Sequence, residues 1–433
     1  MQTNFSLAQL ADPDLAAADK ILRTCVHCGF CTATCPTYVI AGDENDSPRG
    51  RIYLIKNMLE HDEPADAIVA KHVDRCLTCL SCMTTCPSGV DYMHLVDQAR
   101  VRIDQQYRRP IFDRLLRDVL AKVLPNQNLF RFALALGKLG RLTGMPHLLR
   151  GRMKAMFDML PREIASPAAT DQPGVFKAAG TRKGRVAILA GCAQPVLKPG
   201  INAAAIRLLN RLGIEVVVAQ GAGCCGALTQ HMGREHAAKE TARPTLHAWA
   251  SEMKGDGLDA VVITTSGCGT AIKDWGHLFR GDKDEALARE IAAKALDISE
   301  YLVKIGGVAP IRELPRKKIA YHAACSLQHG QRVLAAPKDL LRGAGFEVID
   351  VAEAHLCCGS AGTYNLLQPE FADQLRTRKI ANIEKTGADC VSAGNIGCLQ
   401  QLEGGLSRPI VHTVELLDWA SGGPKPAALS GWL

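Results

Sequence analysis

The sequence has no long hydrophobic run and no recognisable export signal. Across its 433 residues no window reaches about 18 uninterrupted apolar residues, the length that a membrane-spanning helix requires. The first residues lack a basic segment followed by an apolar segment, the pattern that marks a secretory signal. We therefore expect a cytoplasmic protein without a membrane-spanning helix.

Several common functional motifs are also missing. The sequence contains no G-x-G-x-x-G fingerprint before a strand–helix unit, no P-loop and no H-E-x-x-H zinc motif. It shows no Ser-His-Asp arrangement and no recognised nucleic-acid module. These absences predict that the chain has no flavin site or substrate site of its own and no nucleic-acid partner.

Cysteine, in contrast, is abundant, with 17 residues in a chain of ordinary globular composition. Disulfide frameworks are typical of small secreted chains, and this chain is too long for that class. We therefore expect thiols that stay reduced and bind metal.

Two cysteine runs near the N-terminus carry the strongest signal. Residues 25–36 and 76–87 both read C-x2-C-x2-C-x3-C-P, the bacterial ferredoxin spacing for cubane iron–sulfur clusters. Zinc sites use paired C-x2-C units instead. In this spacing the fourth cysteine of one run commonly serves the other cluster. The spacing predicts two [4Fe–4S] clusters, one bound by Cys25, Cys28, Cys31 and Cys86 and the other by Cys76, Cys79, Cys82 and Cys35.

About forty residues separate the two runs, far more than in short ferredoxins. Ser47 and Pro48 look like the N-cap and first residue of a helix, followed by apolar residues at helical spacing. This part of the chain, residues 1–110, resembles the α-helical ferredoxin domain. Two interpretations of Arg49 and Arg51 remain open: they pair with a carboxylate or tune a cluster, or they form a solvated first turn.

Residues 100–160 contain amphipathic segments broken by Pro125 and Pro146. They carry 13 Arg and Lys against 4 Asp and Glu, a net charge of +9 that exceeds the +7 of the whole chain. A basic amphipathic face favours contact with a membrane surface or a partner. The alternative is that Leu115, Leu116, Phe130 and Leu134 pack on neighbouring domains. We assign residues 111–183 to these helices and a linker, the linker being the Pro- and Gly-rich stretch 165–183.

The remainder of the chain is an internal repeat, which we divide into residues 184–308 and 309–425. Each copy opens with an apolar run and a cysteine, and each reaches a Cys-Cys-Gly sequence 32 positions later. Each then continues to a second glycine–cysteine, which we place at the end of a strand. Strands that alternate with helices predict two α/β units on parallel sheets. Overall the sequence predicts an α+β multidomain protein.

The carboxyl ends of parallel strands gather at one edge, so the thiols of each copy are expected to converge. The candidate ligands are Cys192, Cys224, Cys225 and Cys268 in the first copy and Cys325, Cys357, Cys358 and Cys398 in the second. Adjacent cysteines in a strand point to opposite faces, so each pair must lie in a turn if it shares a ligand. The alternative is a buried pair of small apolar residues.

The repeats resemble the cysteine-rich (CCG) domain of heterodisulfide reductases and related respiratory subunits. That family ends its pattern with C-x-x-C, whereas Thr265 and Asn395 occupy the first of these positions here. Each copy thus offers four thiols, which leaves open one ordinary cluster per copy or an empty copy. We interpret Cys390 as a core residue. We expect His27, His322 and His355 to lie near ligands without binding metal.

The order of helical ferredoxin, basic helices and two CCG domains resembles the iron–sulfur subunits of glycolate oxidase (glycolate dehydrogenase). The resemblance implies a subunit of an oxidoreductase that passes electrons from FAD-containing flavoprotein partners toward the respiratory chain while glycolate becomes glyoxylate. It also implies peripheral association with the cytoplasmic face of the inner membrane, with quinone or the membrane contacted through the basic helices. The alternatives are a subunit for lactate utilisation or anaerobic glycerol-3-phosphate oxidation, and a thiol–disulfide reductase.

Overall fold

The computed structural model describes residues 1–143, 149–161, 163–311 and 317–432. The predicted break at Pro146 lies outside these residues. The N-terminal part, residues 1–110, is described completely and contains helices and no strand. Its helices are α1 (Leu7–Leu10), α2 (Pro13–Thr24), α3 (Phe30–Thr34), α4 (Pro36–Ala41), α5 (Pro48–Glu60), α6 (Ala67–Asp74), α7 (Ser81–Thr85) and α8 (Tyr92–Gln106).

Helix α5 begins as the sequence predicts. The Ser47 hydroxyl accepts a hydrogen bond from the Gly50 amide at 3.0 Å, which satisfies one of the free donors at the helix start. Pro48 occupies the first turn, where a missing N–H costs nothing. The apolar face of α5 packs against α2 and α8, with Leu22, Ile55 and Leu95 fully buried. The expected helical ferredoxin domain is therefore present.

Among the residues that the structure describes between this domain and the repeats, three α-helices form the connection: α9 (Ile111–Val123), α10 (Gln127–Leu142) and α11 (Gly151–Asp158). Of the apolar positions that sequence analysis singled out, Leu134 is buried, Leu116 and Phe130 are half-buried, and Leu115 is exposed. Packing on neighbouring domains thus explains some of these four apolar residues but not Leu115. Within the described residues of α9 and α10, an apolar face remains uncovered.

The first repeat forms a five-stranded sheet in the order β1-β3-β2-β4-β5. Its strands are β1 (Gly174–Phe176), β2 (Gly184–Ile188), β3 (Ile214–Val218), β4 (Ala260–Ile263) and β5 (Ala295–Asp297). Its helices are α12 (Gln194–Leu197), α13 (Gly200–Arg211), α14 (Ala227–Gln230), α15 (Glu235–Lys254), α16 (Ser266–Lys273), α17 (Trp275–Leu278), α18 (Glu285–Lys294) and α19 (Ile298–Lys304).

The second repeat forms a four-stranded parallel sheet in the order β7-β6-β8-β9. Its strands are β6 (Lys318–His322), β7 (Glu347–Asp350), β8 (Cys390–Ala393) and β9 (Ile410–His412). A π-helical turn, Ser326–Gly330, follows β6. Its helices are α20 (Ala336–Gly343), α21 (Tyr364–Leu367), α22 (Pro369–Glu384), α23 (Ile396–Glu403) and α24 (Thr413–Ala420). The strand order matches that of the first repeat once β1 is set aside, so the predicted internal repeat is seen in the topology.

The stretch 165–183, which the sequence predicts to be a linker, contributes the edge strand β1. Its residues pair antiparallel with β3, with Val175 opposite Val217. Only three residues form this strand, and Pro173 precedes it, so the apolar pattern is too short to distinguish from a loop.

Residues in β2 alternate between two cores. Val186 and Ile188 face the α13 and α19 side, whereas Ala187 faces the α15 and α18 side. The first of these cores continues into the second repeat, so both repeats share one apolar interior.

The contacts between the repeats are reciprocal. Helix α13 of the first repeat packs on α24 of the second, and α20 of the second packs on α19 of the first. Arg207 and Arg211 both pair with the buried Asp418 across this boundary, Arg207 at 2.6 Å. No helix among the described residues is both long and apolar enough to cross a membrane.

Candidate metal centres

The two ferredoxin runs follow the same backbone path. In the first, His27 and Gly29 have left-handed φ values of 55° and 85°; in the second, Thr78 and Leu80 have φ values of 49° and 62°. The left-handed residues thus stand two and four positions after the first cysteine of each run. Each run then enters a short helix, α3 or α7, that carries its third cysteine. Such loops curl the backbone around a compact centre, as the spacing predicts.

The structure brings the four thiols assigned to the first cluster around one cavity. Cys25, Cys28, Cys31 and Cys86 all line it, together with Cys82. Cys28 is exposed, so this centre lies near the protein surface. The arrangement fits the predicted exchange of the fourth cysteine between the runs, and the ligand assignment remains a prediction.

The thiols assigned to the second cluster, Cys35, Cys76, Cys79 and Cys82, are all buried. Burial raises the pKa of the Cys79 and Cys82 thiols well above the usual range, and the neighbouring thiols Cys35 and Cys76 add to this effect. A group of buried thiols that disfavour ionisation suits a metal centre, because bound metal stabilises the thiolate form.

Arg51 places a buried positive charge beside this second group. Its guanidinium lies 3.8 Å from Cys35 Sγ, pairs with Asp46 at 3.3 Å and donates to the His72 carbonyl at 2.6 Å. Its exposed fraction is 1%, so the solvated-turn interpretation does not describe it. Arg49 instead pairs with Glu44 at 2.6 Å near the surface.

The second ferredoxin run packs directly on the second repeat. Leu77 and Cys79 share an apolar cluster with Cys357 and Tyr364. Close by, the Thr84 hydroxyl lies 2.7 Å from Nδ1 of His329. The thiols assigned to the second cluster therefore adjoin the thiols of the second repeat.

Each Cys-Cys-Gly sequence lies in a loop, after β3 in the first repeat and after β7 in the second, as the turn argument requires. Gly226 and Gly359 have φ values of 84° and 88°. A Cβ at either position would lie 2.6 Å from a helix carbonyl oxygen, that of Ala238 or Ala372. Glycine is needed for both reasons, because only it tolerates the left-handed backbone and the close approach.

The eight thiols of the repeats form matching pairs. In the second repeat Cys325 Sγ lies 3.7 Å from Cys357 Sγ, and Cys358 Sγ lies 3.5 Å from Cys398 Sγ. In the first repeat the corresponding thiols influence one another: the neighbouring Cys224 thiol raises the pKa of Cys192, and the neighbouring Cys192 and Cys225 thiols lower the pKa of Cys224. The neighbouring Cys224 and Cys268 thiols raise the pKa of Cys225.

The predicted location of the last cysteine in each repeat is wrong in one respect. Cys268 and Cys398 lie in the first turns of α16 and α23, not at the ends of strands. Strands β4 and β8 stop earlier because their buried apolar runs end before the polar residues Thr265 and Asn395, which become the N-caps of the helices.

Seven of these eight thiols line a single cavity of about 450 Å³, to which Cys224 does not contribute. The cavity is mostly apolar, and α9, α10 and the end of the α11 segment form one wall through residues such as Leu120, Leu134 and Phe157. Helices α9 and α10 therefore contribute to the cavity wall and also carry the uncovered apolar face described above. Thiols from both repeats therefore meet an apolar space behind the basic helices.

The three histidines differ in their surroundings. The pKa values of His27 and His355 are lowered, mainly by partial burial. His322 is fully buried at the end of β6, where burial and Lys379 lower its pKa to about 3, so its imidazole is neutral. Cys390 is buried within β8, and its thiol donates to the Val391 carbonyl at 3.4 Å.

Two family models match the chain. The cysteine-rich domain model matches residues 186–273 and 319–403, and the 4Fe-4S dicluster domain model matches residues 21–90. The glycolate oxidase iron–sulfur subunit of Escherichia coli K12 is 40% identical over 97% of this chain and 99% of its own. This chain belongs to the glycolate oxidase iron–sulfur subunit family.

Other relatives agree with this family assignment. The probable glycolate oxidase iron–sulfur subunit of Bacillus subtilis is 31% identical over 93% of this chain and 94% of its own. Lactate utilization protein A of Shouchella clausii is 28% identical over only 54% of this chain. A solved structure, a hypothetical protein from Helicobacter pylori, matches with a TM-score of 0.51 at 9% identity over 96% of this chain and 74% of that one, which indicates a shared fold.

The regions of the chain that the two family models match contain the groups of thiols described above. The dicluster match, residues 21–90, contains all eight cysteines of the two ferredoxin runs, and the cysteine-rich matches contain the eight candidate thiols of the two repeats. The chain is accordingly an iron–sulfur protein of the electron-transfer type, and its relatives are subunits of an oxidoreductase.

Proposed function

We propose that the chain is the electron-transfer subunit of a flavin-linked glycolate dehydrogenase complex. FAD-containing partner subunits would oxidise glycolate to glyoxylate, and this chain would carry the electrons onward. The observation that supports this function best is the series of thiol groups that begins at the exposed Cys28 and ends at the apolar cavity between the repeats. Iron–sulfur clusters supply one-electron steps when bound at such thiols.

The residues of the chain have distinct parts in this series. Cys28 makes the first group accessible from the surface, which suits the approach of a flavoprotein. Arg51 holds a positive charge beside Cys35, which favours a reduced, more negative centre there. Cys79 lies in the apolar cluster with Cys357, so the second group adjoins the second repeat without intervening solvent.

We infer that electrons leave through the apolar cavity toward a lipophilic acceptor such as a quinone. The α9–α10 hairpin separates this cavity from a surface on which Ile111, Phe112 and Leu139 are exposed. The exposed Arg114 and Lys122 lie on the same hairpin. Apolar side chains bordered by cations suit the anionic surface of a bilayer. In this proposal the membrane contact adjoins the exit for electrons.

One observation favours a second substrate class. Relatives named lactate utilization protein A match about half of the chain, so a lactate-linked flavoprotein is the alternative partner. The thiol–disulfide reductase alternative has less support, because Thr265 and Asn395 leave each repeat with four thiols.

The test is anaerobic purification of the complex, followed by assays with glycolate, lactate and glycerol-3-phosphate. We expect flavoproteins to co-purify and glycolate alone to reduce both an artificial dye that accepts from flavin and a short-chain quinone. A signal with lactate or glycerol-3-phosphate instead would reject the glycolate assignment. Absence of any flavoprotein would reject the proposed complex.

The same preparation tests the relay. Cys79→Ser should remove the iron of one cluster and abolish quinone reduction, while dye reduction by the flavoprotein continues. Cys390→Ala is the matched control, because this thiol is also buried but lies within β8 and is not among the candidate ligands. Normal quinone reduction by the Cys79→Ser complex would contradict the relay.

A further inference from the structure

A buried histidine faces the thiols of the second repeat without any hydrogen-bond partner. His322 is 1% exposed, and both of its ring nitrogens lack a hydrogen-bond partner within the described structure. A ring nitrogen of His322 lies within 4.8 Å of the sulfur atoms of Cys358 and Cys398. These two sulfur atoms are themselves 3.5 Å apart.

A buried imidazole without a hydrogen-bond partner needs an explanation. A neutral imidazole has one donor and one acceptor, and burying either without a partner costs free energy. Buried polar groups in folded proteins are nearly always paired, so an unpaired one points to a missing metal, water or catalytic role. The buried His412 illustrates the usual solution, because one of its nitrogens lies 2.7 Å from the Thr264 carbonyl and the other accepts from the Val414 amide.

The histidine occurs in one repeat only. His322 stands three residues before Cys325, and the corresponding position before Cys192 is Leu189. Both repeats lack the first cysteine of the C-x-x-C pair, where Thr265 and Asn395 stand. The second repeat therefore offers four thiols and one imidazole, whereas the first offers four thiols.

In contrast to the expectation from sequence that His322 does not bind metal, we propose that His322 is a metal ligand and that its imidazole, together with Cys358 and Cys398, binds iron of an iron–sulfur cluster in the second repeat. Neutral imidazole and thiolate are both established ligand types for iron in such clusters. The inference requires a cluster in the second repeat but no particular electron donor, so it can fail independently of the glycolate assignment.

The experiment is pulsed electron paramagnetic resonance on the reduced full-length protein, purified anaerobically with and without ¹⁵N-labelled histidine. Iron, zinc and sulfide are measured on the same samples. We expect iron beyond that of the two ferredoxin clusters and a directly coordinated histidine nitrogen. His322→Leu, which introduces the residue found in the first repeat, should lose this nitrogen coupling and the iron of one cluster.

Two further variants separate ligation from a structural role. His322→Cys should retain the iron with a sulfur in place of nitrogen, so that the nitrogen coupling disappears while the metal content stays. His329→Gln is the control, because His329 lies in the same repeat but has hydrogen bonds to Thr84 and the His355 carbonyl. The His329→Gln variant should keep both the histidine nitrogen coupling and the iron content. A coupling that survives His322→Leu, zinc in place of iron, or no iron beyond two clusters would overturn the proposal.

Discussion

The Cys-Cys-Gly loops show how single residues position the thiols. Gly226 and Gly359 adopt the left-handed conformation and lie against the carbonyl groups of the following helices, α15 and α22. This contact fixes where each loop turns, and the loop in turn sets which neighbour each cysteine meets. The glycine of each motif is thus as important for the thiol arrangement as the cysteines.

Gly226→Ala should destabilise the protein by about 2 kcal/mol or more, because the left-handed backbone and the clash with the Ala238 carbonyl both carry a cost. It should also reduce any metal content of the first repeat. Gly223→Ala is the control in the same loop, since a Cβ there meets no atom within 4 Å. Chemical denaturation of the two variants measures the difference, and equal stability would contradict the argument.

Much of the residue-level picture follows from the sequence. The ferredoxin spacing predicts which cysteines meet, and the structure brings Cys25, Cys28, Cys31 and Cys86 around one cavity. The position of His322 could not be predicted in the same way, because its lack of hydrogen-bond partners depends on strands and loops far apart in sequence. The only sequence signal is its position three residues before Cys325 in one repeat and not in the other.

At the level of elements, the α9–α10 hairpin has two apolar sides with different surroundings. One side forms the wall of the cavity, and the other leaves large side chains uncovered, Phe112 being 86% exposed. Its basic residues also divide into two groups. Arg117 is buried in ion pairs with Asp74 and Asp113, whereas Arg114 and Lys122 are exposed.

Replacing Phe112 and Leu139 together by Glu should weaken binding to anionic vesicles by more than about 100-fold, because each large apolar side chain contributes about 1.5–3 kcal/mol when buried. Flotation with vesicles of stated anionic lipid content measures this. Val303→Glu is the control, an exposed apolar residue on α19 of the first repeat. Unchanged flotation of the double variant would show that the hairpin does not bind the membrane surface.

The sequence predicts these helices and their charge, but not how the charge is used. A net charge of +9 does not reveal which arginine side chains are buried. Arg117 is buried because it forms an ion pair with Asp74 of α6, a residue distant in sequence. A charge-reversal experiment based on the sequence would have included Arg117 and tested stability instead of docking.

At the scale of the whole molecule, the ferredoxin domain and the first repeat are joined by a half-buried ionic contact. His94 of α8 lies 2.6 Å from Asp91 and 3.0 Å from Asp274, and its ring stacks on His277 at 3.6 Å. Burial lowers the pKa of His94, but the hydrogen bonds to Asp274 and Asp91 outweigh this effect and raise it to about 10. The protonated ring therefore links two domains at neutral pH.

A histidine with a raised pKa stabilises the folded state fully below its unfolded pKa of about 6.5, and this stabilisation is lost as the pH rises toward 10. His94→Gln should therefore lower the free energy of unfolding by about 2 kcal/mol at pH 6. The difference from the wild type should shrink steadily between pH 6.5 and 10. Thermal unfolding at a series of pH values measures it, and a constant difference would contradict the ionic contact.

The reciprocal packing of α13 on α24 and of α20 on α19 means that the two repeats are related by an approximate twofold axis. Two identical subunits associate in this way in a symmetric dimer, in which both halves must carry the same residues. Joining the halves in one chain removes that requirement, and here His322 faces one group of thiols while Leu189 occupies the matching position beside the other. A symmetric dimer of single repeats would carry two identical groups of thiols, whereas the fused chain can surround its two groups with different side chains.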